Sequence, residues 1–191
     1  GVKHIKVPDK PRTHLTFEEV QRLANTTIMG ENGTGGEIKR AFLFSCLTGL
    51  RWSDLVALTW GDIRDGQIIR PKVKTKKLVA IPLHPDALAL IETPEVQIHR
   101  LDEPVFKLSR NSAPNRYIHD WSTRAGIDRP VTFHTARHTA GTLLLQGGAE
   151  IYTVQKILGH TKAEMTMQYA AVTDDLKKKA IDALPRLALG K

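Results

Sequence analysis

The sequence predicts a mainly α-helical domain with one small antiparallel sheet, an α+β fold. Three observations predict it. Apolar residues recur at helical spacing through most of the 191-residue chain. The period changes to two only between residues 62 and 83, around the turn signal Asp65-Gly66. Glycines, prolines and capping residues punctuate the helical stretches where helices start and stop.

In chain order, residues 1–14 are basic, carry two prolines and read as an extended linker. Thr16 and Glu19 form a capping box. It opens a helix with Val20 and Leu23 inward, ending near Asn25. Residues 30–36 are glycine-rich but lack the Lys-Ser/Thr ending of a phosphate-binding loop, so a plain loop is expected. Residues 37–47 are apolar almost all round, as a central buried helix must be, and Gly49 fits its C-terminal cap. Arg51 follows at once, and Ser53 fits the cap of a short helix holding Asp54, Leu55 and Leu58. Residues 67–73 and 78–83 read as two strands joined by a basic turn at 74–77. A short helix is expected at 85–91, an irregular stretch at 96–105, and a helix at 111–126 with Tyr117 and Trp121 on one face. Thr132 or Thr135 caps the next helix, whose apolar stripe is Ala136, Ala140, Leu143 and Leu144 and which Gly147-Gly148 ends. Ile151, Val154, Ile157 and Leu158 mark another, stopped by Gly159. A third helical segment carries Met165 and Tyr169, and a last helix spans 174–184 before Pro185.

Composition narrows the class. Hydrophobic residues at 41% and charged residues at 25% fit a globular domain and exclude a disordered chain. The formal net charge of +8 favours a polyanionic partner, usually nucleic acid. The single cysteine, Cys46, has no partner for an internal disulfide and lies in an apolar run, which fits a reducing cytosol. No apolar run reaches the length of a membrane span and no signal-peptide pattern opens the chain, so a cytoplasmic protein is expected. Gly1 rather than Met points to a piece of a longer chain.

The chemistry gathers between residues 132 and 169. His134 and Arg137 are three apart, which puts both on one helix face. His160 sits at a helix end, and Tyr169 follows nine residues later. Arginine forks onto phosphate oxygens, histidine donates or moves protons, and tyrosine can attack phosphorus, so the set suggests phosphate chemistry. Each residue also has a plain reading: a structural helix histidine, a core tyrosine, an Arg51–Asp54 pair, a solvated lysine tip on the hairpin. His134 and His138 have the i, i+4 spacing of zinc ligands, but the metalloprotease pattern needs Glu between them and an arginine there opposes a metal.

His134-x-x-Arg137, then Leu158-Gly159-His160, then Tyr169 resembles the tyrosine recombinases, the phage and transposon integrases. Thr48-Gly49-Leu50-Arg51-Trp52-Ser53-Asp54-Leu55 is similar to the family's first arginine motif, and Lys74-Thr75 leading to Ile81-Pro82 is similar to its lysine hairpin. The resemblance covers roughly residues 13–185. It implies a recombinase-like catalytic domain over residues 15–191, with residues 1–14 as the joint to a missing N-terminal core-binding domain. It implies a site-specific recombinase that cleaves and rejoins double-stranded DNA at attachment sites through a 3′-phosphotyrosyl link, as a homotetramer using the C-terminal helix, without metal, ATP or cofactor. Tyr169 is then the nucleophile, Arg51 and Arg137 the phosphate clamp, His160 a further donor, His134 the group that positions or deprotonates the tyrosine, Lys74 the acid and Asp54 a supporting residue. Lys72, Lys76, Lys77, Arg110, Asn115 and Arg116 are candidate DNA contacts. The alternatives are a type IB topoisomerase-like relaxing enzyme and a DNA-binding module that has lost catalysis.

Overall fold

The computed structural model describes residues 14–71, 78–92 and 99–160. Residues 1–13 of the expected linker, the lysines Lys72, Lys74, Lys76 and Lys77, and the segment 161–191 with Tyr169 and the expected last helix lie outside the described residues. Among the described residues there are seven α-helices and one three-stranded sheet, and no helix is long and apolar enough to cross a membrane.

Helix α1 (Phe17–Asn25) starts on the expected capping box: Thr16 accepts from the Glu19 amide and Glu19 reaches back to the Thr16 amide. Val20 and Leu23 are its buried residues. Helix α2 (Thr34–Thr48) is the hub, with Ile38 and the whole run from Ala41 to Cys46 buried. Phe42 meets Trp121 and Phe133 edge-on at 5.6 and 5.5 Å, and Phe44 meets Phe106 at 5.4 Å, favoured aromatic geometries. The two buried hydroxyls on this helix are used inside: Thr48 donates to the Phe44 carbonyl and Ser45 to that of Leu50. Burial pushes the Cys46 thiol pKa up, so it stays a neutral core residue.

Helix α2 begins three residues before the expected start at Glu37. Its first turn contains Gly35, where a Cβ would lie 1.9 Å from the Met29 carbonyl oxygen. The glycine-rich stretch is thus partly helical, because glycine there permits a close approach of two backbones. At the other end Gly49 is left-handed at φ 69° and donates to the Ser45 carbonyl, closing the helix as expected.

Helix α3 (Trp52–Val56) has Arg51, not Ser53, at its N-cap. The buried Leu50 sets the turn out of α2, and Trp52 already packs on Phe133 at 4.7 Å, so the chain re-enters helix sooner than the serine predicts. A short 3-10 turn (Trp60–Asp62) leads to strands β1 (Ile63–Arg64), β2 (Gln67–Pro71) and β3 (Leu78–Pro82), antiparallel in that order. Asp65 and Gly66 both have positive φ, as the two-residue hairpin turn requires. Ile68 pairs with Ile81 and both are buried, fixing the register against the core.

Helix α4 (Pro85–Ile91) matches its predicted span. Helix α5 (Pro114–Arg124) starts later than expected, because Pro114 with its fixed φ takes the first turn. Trp121 is fully buried and its indole donates to the Thr26 carbonyl at 2.9 Å. Helix α6 (Phe133–Gln146) is capped by Thr132 and lies along α2 through Ala136 and Ala140. Leu143 and Leu144 are only half-buried, whereas Leu145 points inward. The stripe shifts there because α7 (Ile151–Leu158) packs on the end of α6, forming a second small core of Leu145, Val154 and Leu158.

The chain enters the fold against α6. The Leu15 amide donates to Thr139 Oγ1 at 2.9 Å in a buried bond, and the Arg129 guanidinium grips both Glu19 and the His14 carbonyl. Hydrogen bonding from Arg129 holds the Glu19 carboxyl below its ordinary pKa. A carboxylate whose folded pKa is depressed contributes stability above its unfolded pKa and loses it as pH falls through the folded value. Replacing Glu19 by Gln should therefore cost about 1 kcal/mol at neutral pH, and the difference from the parent should shrink as pH falls below the ordinary carboxylate range. Urea unfolding of both proteins across pH checks it; a difference unchanged at low pH would mean the pair does not contribute through its charge.

Candidate active site

Arg137 is the residue around which the site is built. It lies in the second turn of α6 and is almost fully buried. Its Nη1 donates to the Gly49 carbonyl and its Nη2 to the Leu158 carbonyl, both at 2.5 Å. These carbonyls cap α2 and α7, where unpaired helix carbonyls concentrate partial negative charge. The fork has five N–H donors in all, and these two contacts use one hydrogen on each Nη. The approach of the two helix ends is close: a Cβ on Gly49 would lie 2.3 Å from Leu158 Cδ2.

The grip on two carbonyls places two further residues. Arg51 stands two positions after Gly49, and His160 two positions after Leu158. Arg51 is half-buried, enters no ion pair among the described residues, and its Nη1 is buried without a hydrogen-bond acceptor there. A buried guanidinium nitrogen with no acceptor is costly, and an arriving phosphate oxygen would relieve that cost. His160 is buried; its amide donates to the Gln155 carbonyl, while Gln155 Nε2 donates back to the His160 carbonyl at 3.3 Å. Gly159, left-handed at φ 64°, turns the chain between them.

His134 sits one turn before Arg137, exposed in the first turn of α6 at the positive end of the helix dipole. Its Nε2 is 2.7 Å from Nε2 of His138, with the rings edge-on at 87°. Two nitrogens sharing a tetrahedral zinc at 2.0–2.1 Å would stand about 3.3 Å apart. The pair is thus spaced for a hydrogen bond. Among the described residues no three His, Cys, Asp or Glu side chains gather as metal ligands.

Asp54 lies buried in the first turn of α3, and its backbone carbonyl accepts from Arg70 Nη1. Arg70 also bridges to Asp62 at 3.3 Å, so this strand residue ties the root of the hairpin to the helix that follows Arg51. That brace has no signature in the chain's residue pattern, since a strand arginine reads as an edge residue. The bond between His134 and His138 was visible only as a spacing. Arg110 is exposed ahead of α5, and Asn115 and Arg116 are exposed in its first turn. No described hydrogen bond or ion pair joins them to the Arg137 cluster. Tyr169 and the hairpin lysines lie outside the described residues.

The Phage integrase family matches residues 13–175, and the chain belongs to that family. It is similar to a tyrosine recombinase XerC of Chlamydia caviae, 29% identical over 185 residues, covering 91% of this chain and 59% of that protein. The chain thus spans about three-fifths of that relative's length. Its fold is that of the XerA recombinase, with a TM-score of 0.69 at 24% identity over 96% of this chain and 67% of the other. A lambda integrase dimer bound to a COC′ core site aligns with a TM-score of 0.61 at 25% identity, covering 85% and 60% of the two chains.

The two arginines should differ in unfolding experiments. Arg137→Met leaves two buried carbonyls without their donors and should cost about 2–5 kcal/mol. Arg51→Met removes an unsatisfied donor and should leave stability within about 0.5 kcal/mol of the parent, or raise it. Urea midpoints with unchanged slopes would show this; a large loss at Arg51→Met would make that residue structural.

Proposed function

We propose that this protein cleaves and rejoins DNA strands at specific sites through a covalent 3′-phosphotyrosyl intermediate. The observation that carries the reading is the pair of arginines. One is locked between two helix ends, and two residues past one of those ends stands a second whose buried Nη1 has no acceptor among the described residues, in a chain of the phage integrase family.

Tyr169 Oη attacks a backbone phosphorus as the bond to the 5′ oxygen breaks. The phenolic proton passes to His134, and the leaving 5′ oxygen takes a proton from Lys74. Arg51, Arg137 and His160 hold the non-bridging oxygens and offset the charge that grows on them. A 5′-hydroxyl of another strand reverses the step. The bond energy is kept in the phosphotyrosine, so no nucleotide is consumed. Asp54 supports the Arg51 helix, and Lys72, Lys76, Lys77, Arg110, Asn115 and Arg116 contact the DNA backbone. Residues 1–14 join a core-binding domain, the assembly on DNA is a homotetramer using the helix at 174–184, and the protein works in the cytoplasm. The recombinase and integrase relatives favour strand exchange over the relaxing activity of a type IB topoisomerase.

A library of nicked duplexes of randomised sequence provides the test. The parent should form a covalent protein–DNA adduct that survives EDTA, and Tyr169→Phe should bind the selected duplexes but form none. An adduct in that variant, or one mapping to Tyr117 or Tyr152, would remove Tyr169 from the role; loss in EDTA with rescue by magnesium or zinc would bring metal back.

A second test separates the lysines. With sulfur at the bridging 5′ position the leaving group needs little protonation, so Lys74→Ala should fail on normal DNA and recover on the sulfur substrate, while Arg137→Ala should not recover. Recovery in Lys76→Ala instead would transfer the acid to that residue.

A further inference from the structure

We propose that His138 is the positioning residue for His134: it accepts the His134 Nε2–H, fixes the tautomer, and leaves His134 Nδ1 as the basic nitrogen. The inference rests on the proposed role of His134 as the group that takes the tyrosine proton.

The geometry starts from the 2.7 Å contact between the two Nε2 atoms. A nitrogen–nitrogen contact of that length requires one proton between them. With none, two lone pairs face each other; with two, two N–H groups collide. The pair therefore holds one proton in the contact, and its rings cannot both be imidazolium in this arrangement. Which ring owns that proton once the pair carries a positive charge follows from burial. His138 is 4% exposed, whereas His134 lies on the exposed side of α6. A cationic imidazole is heavily penalised where water is excluded, so extra charge resides on His134. Once His134 carries both protons, its Nε2 must be the donor and His138 Nε2 the acceptor. The tautomer that prepares that state has Nε2–H on His134 and a lone pair on Nδ1.

The chemistry then balances. The phenolic proton moves to His134 Nδ1 as the tyrosine oxygen bonds to phosphorus. The resulting imidazolium keeps its Nε2–H on His138, which remains neutral with its own proton on Nδ1. His138 thus does for His134 what an orienting carboxylate does for a general-base histidine, without adding a negative charge beside a phosphate. A neutral orienter suits a site whose incoming group is an anion. Backbone geometry supports it: residues four apart on a helix stack one turn over the other, so α6 itself sets the spacing.

Nitrogen-15 NMR of the full chain, labelled at histidine and free of DNA, tests the assignment near neutral pH. His134 should show a pyrrole-like Nε2 and a pyridine-like Nδ1, with a scalar coupling between the two Nε2 nuclei across the hydrogen bond. In His138→Phe the coupling should vanish and the His134 tautomers should mix. On duplexes selected from the nicked library, the cleavage rate of that variant should fall roughly tenfold to a hundredfold with unchanged DNA affinity, and His138→Gln, whose amide oxygen can accept, should recover part of it. A proton on His134 Nδ1 in the parent, the absence of coupling, or a tautomer unmoved by His138→Phe would overturn the proposal. If His138→Phe does not fold, the parent spectrum and His138→Gln decide. The spectrum needs no cleavage, so a parent that forms no adduct would defeat the functional reading and leave the tautomer assignment standing on its own result.

Discussion

The bond that the rest of the site depends on is the fork of Arg137 between the carbonyls of Gly49 and Leu158. Both acceptors are helix-terminal groups that no helix can satisfy from within. A buried cation there meets the negative ends of α2 and α7 together, and so the cost of taking the guanidinium out of water is offset by groups that needed a donor in any case. One side chain thereby fixes three helices relative to one another. Arg51 and His160, the proposed phosphate contacts, each follow one of those carbonyls by two positions along the chain.

The same bond explains why Arg51 can remain without an acceptor among the described residues. Folding carries it to its place through the backbone, by way of Gly49 and the buried Leu50, and its Nη1 meets no acceptor among the described residues. Among the described residues that donor stays unsatisfied, at a standing cost to stability. The brace from Arg70 to the Asp54 carbonyl and to Asp62 extends this logic to the sheet. The two arginines are similar in chemistry and opposite in setting: Arg137 is tied to two carbonyls, while Arg51 has an Nη1 with no acceptor among the described residues.

Much of the fold was legible because its signals are local. The Thr16 capping box, the left-handed Gly49 and Gly159, the Asp65-Gly66 turn and the all-apolar face of α2 are each decided within a few residues. What escaped was decided by contacts distant in sequence. The start of α3 was moved by Trp52 packing on Phe133, and the inward residue at the end of α6 became Leu145 because α7 lies there. In the site, spacing put His134 and Arg137 on one helix, but it could not say that the arginine faces inward to carbonyls or that the histidine turns to His138. The i, i+4 spacing of the pair suits zinc ligands as readily as a hydrogen bond, since sequence shows a separation along the helix and not the distance between two ring nitrogens.

The junction at Leu15 has a mechanical meaning. A tether that leaves a domain through a loose loop acts as a swivel and transmits no torque. Here the first described residues are clamped: Leu15 is bonded to Thr139, half a turn beyond Arg137 on α6, and His14 is held by Arg129. A load on the preceding chain reaches α6 as shear at its middle, with α1 fastened to the same bracket through Glu19. The start of the described chain and the helix bearing His134 and Arg137 are therefore fastened to each other.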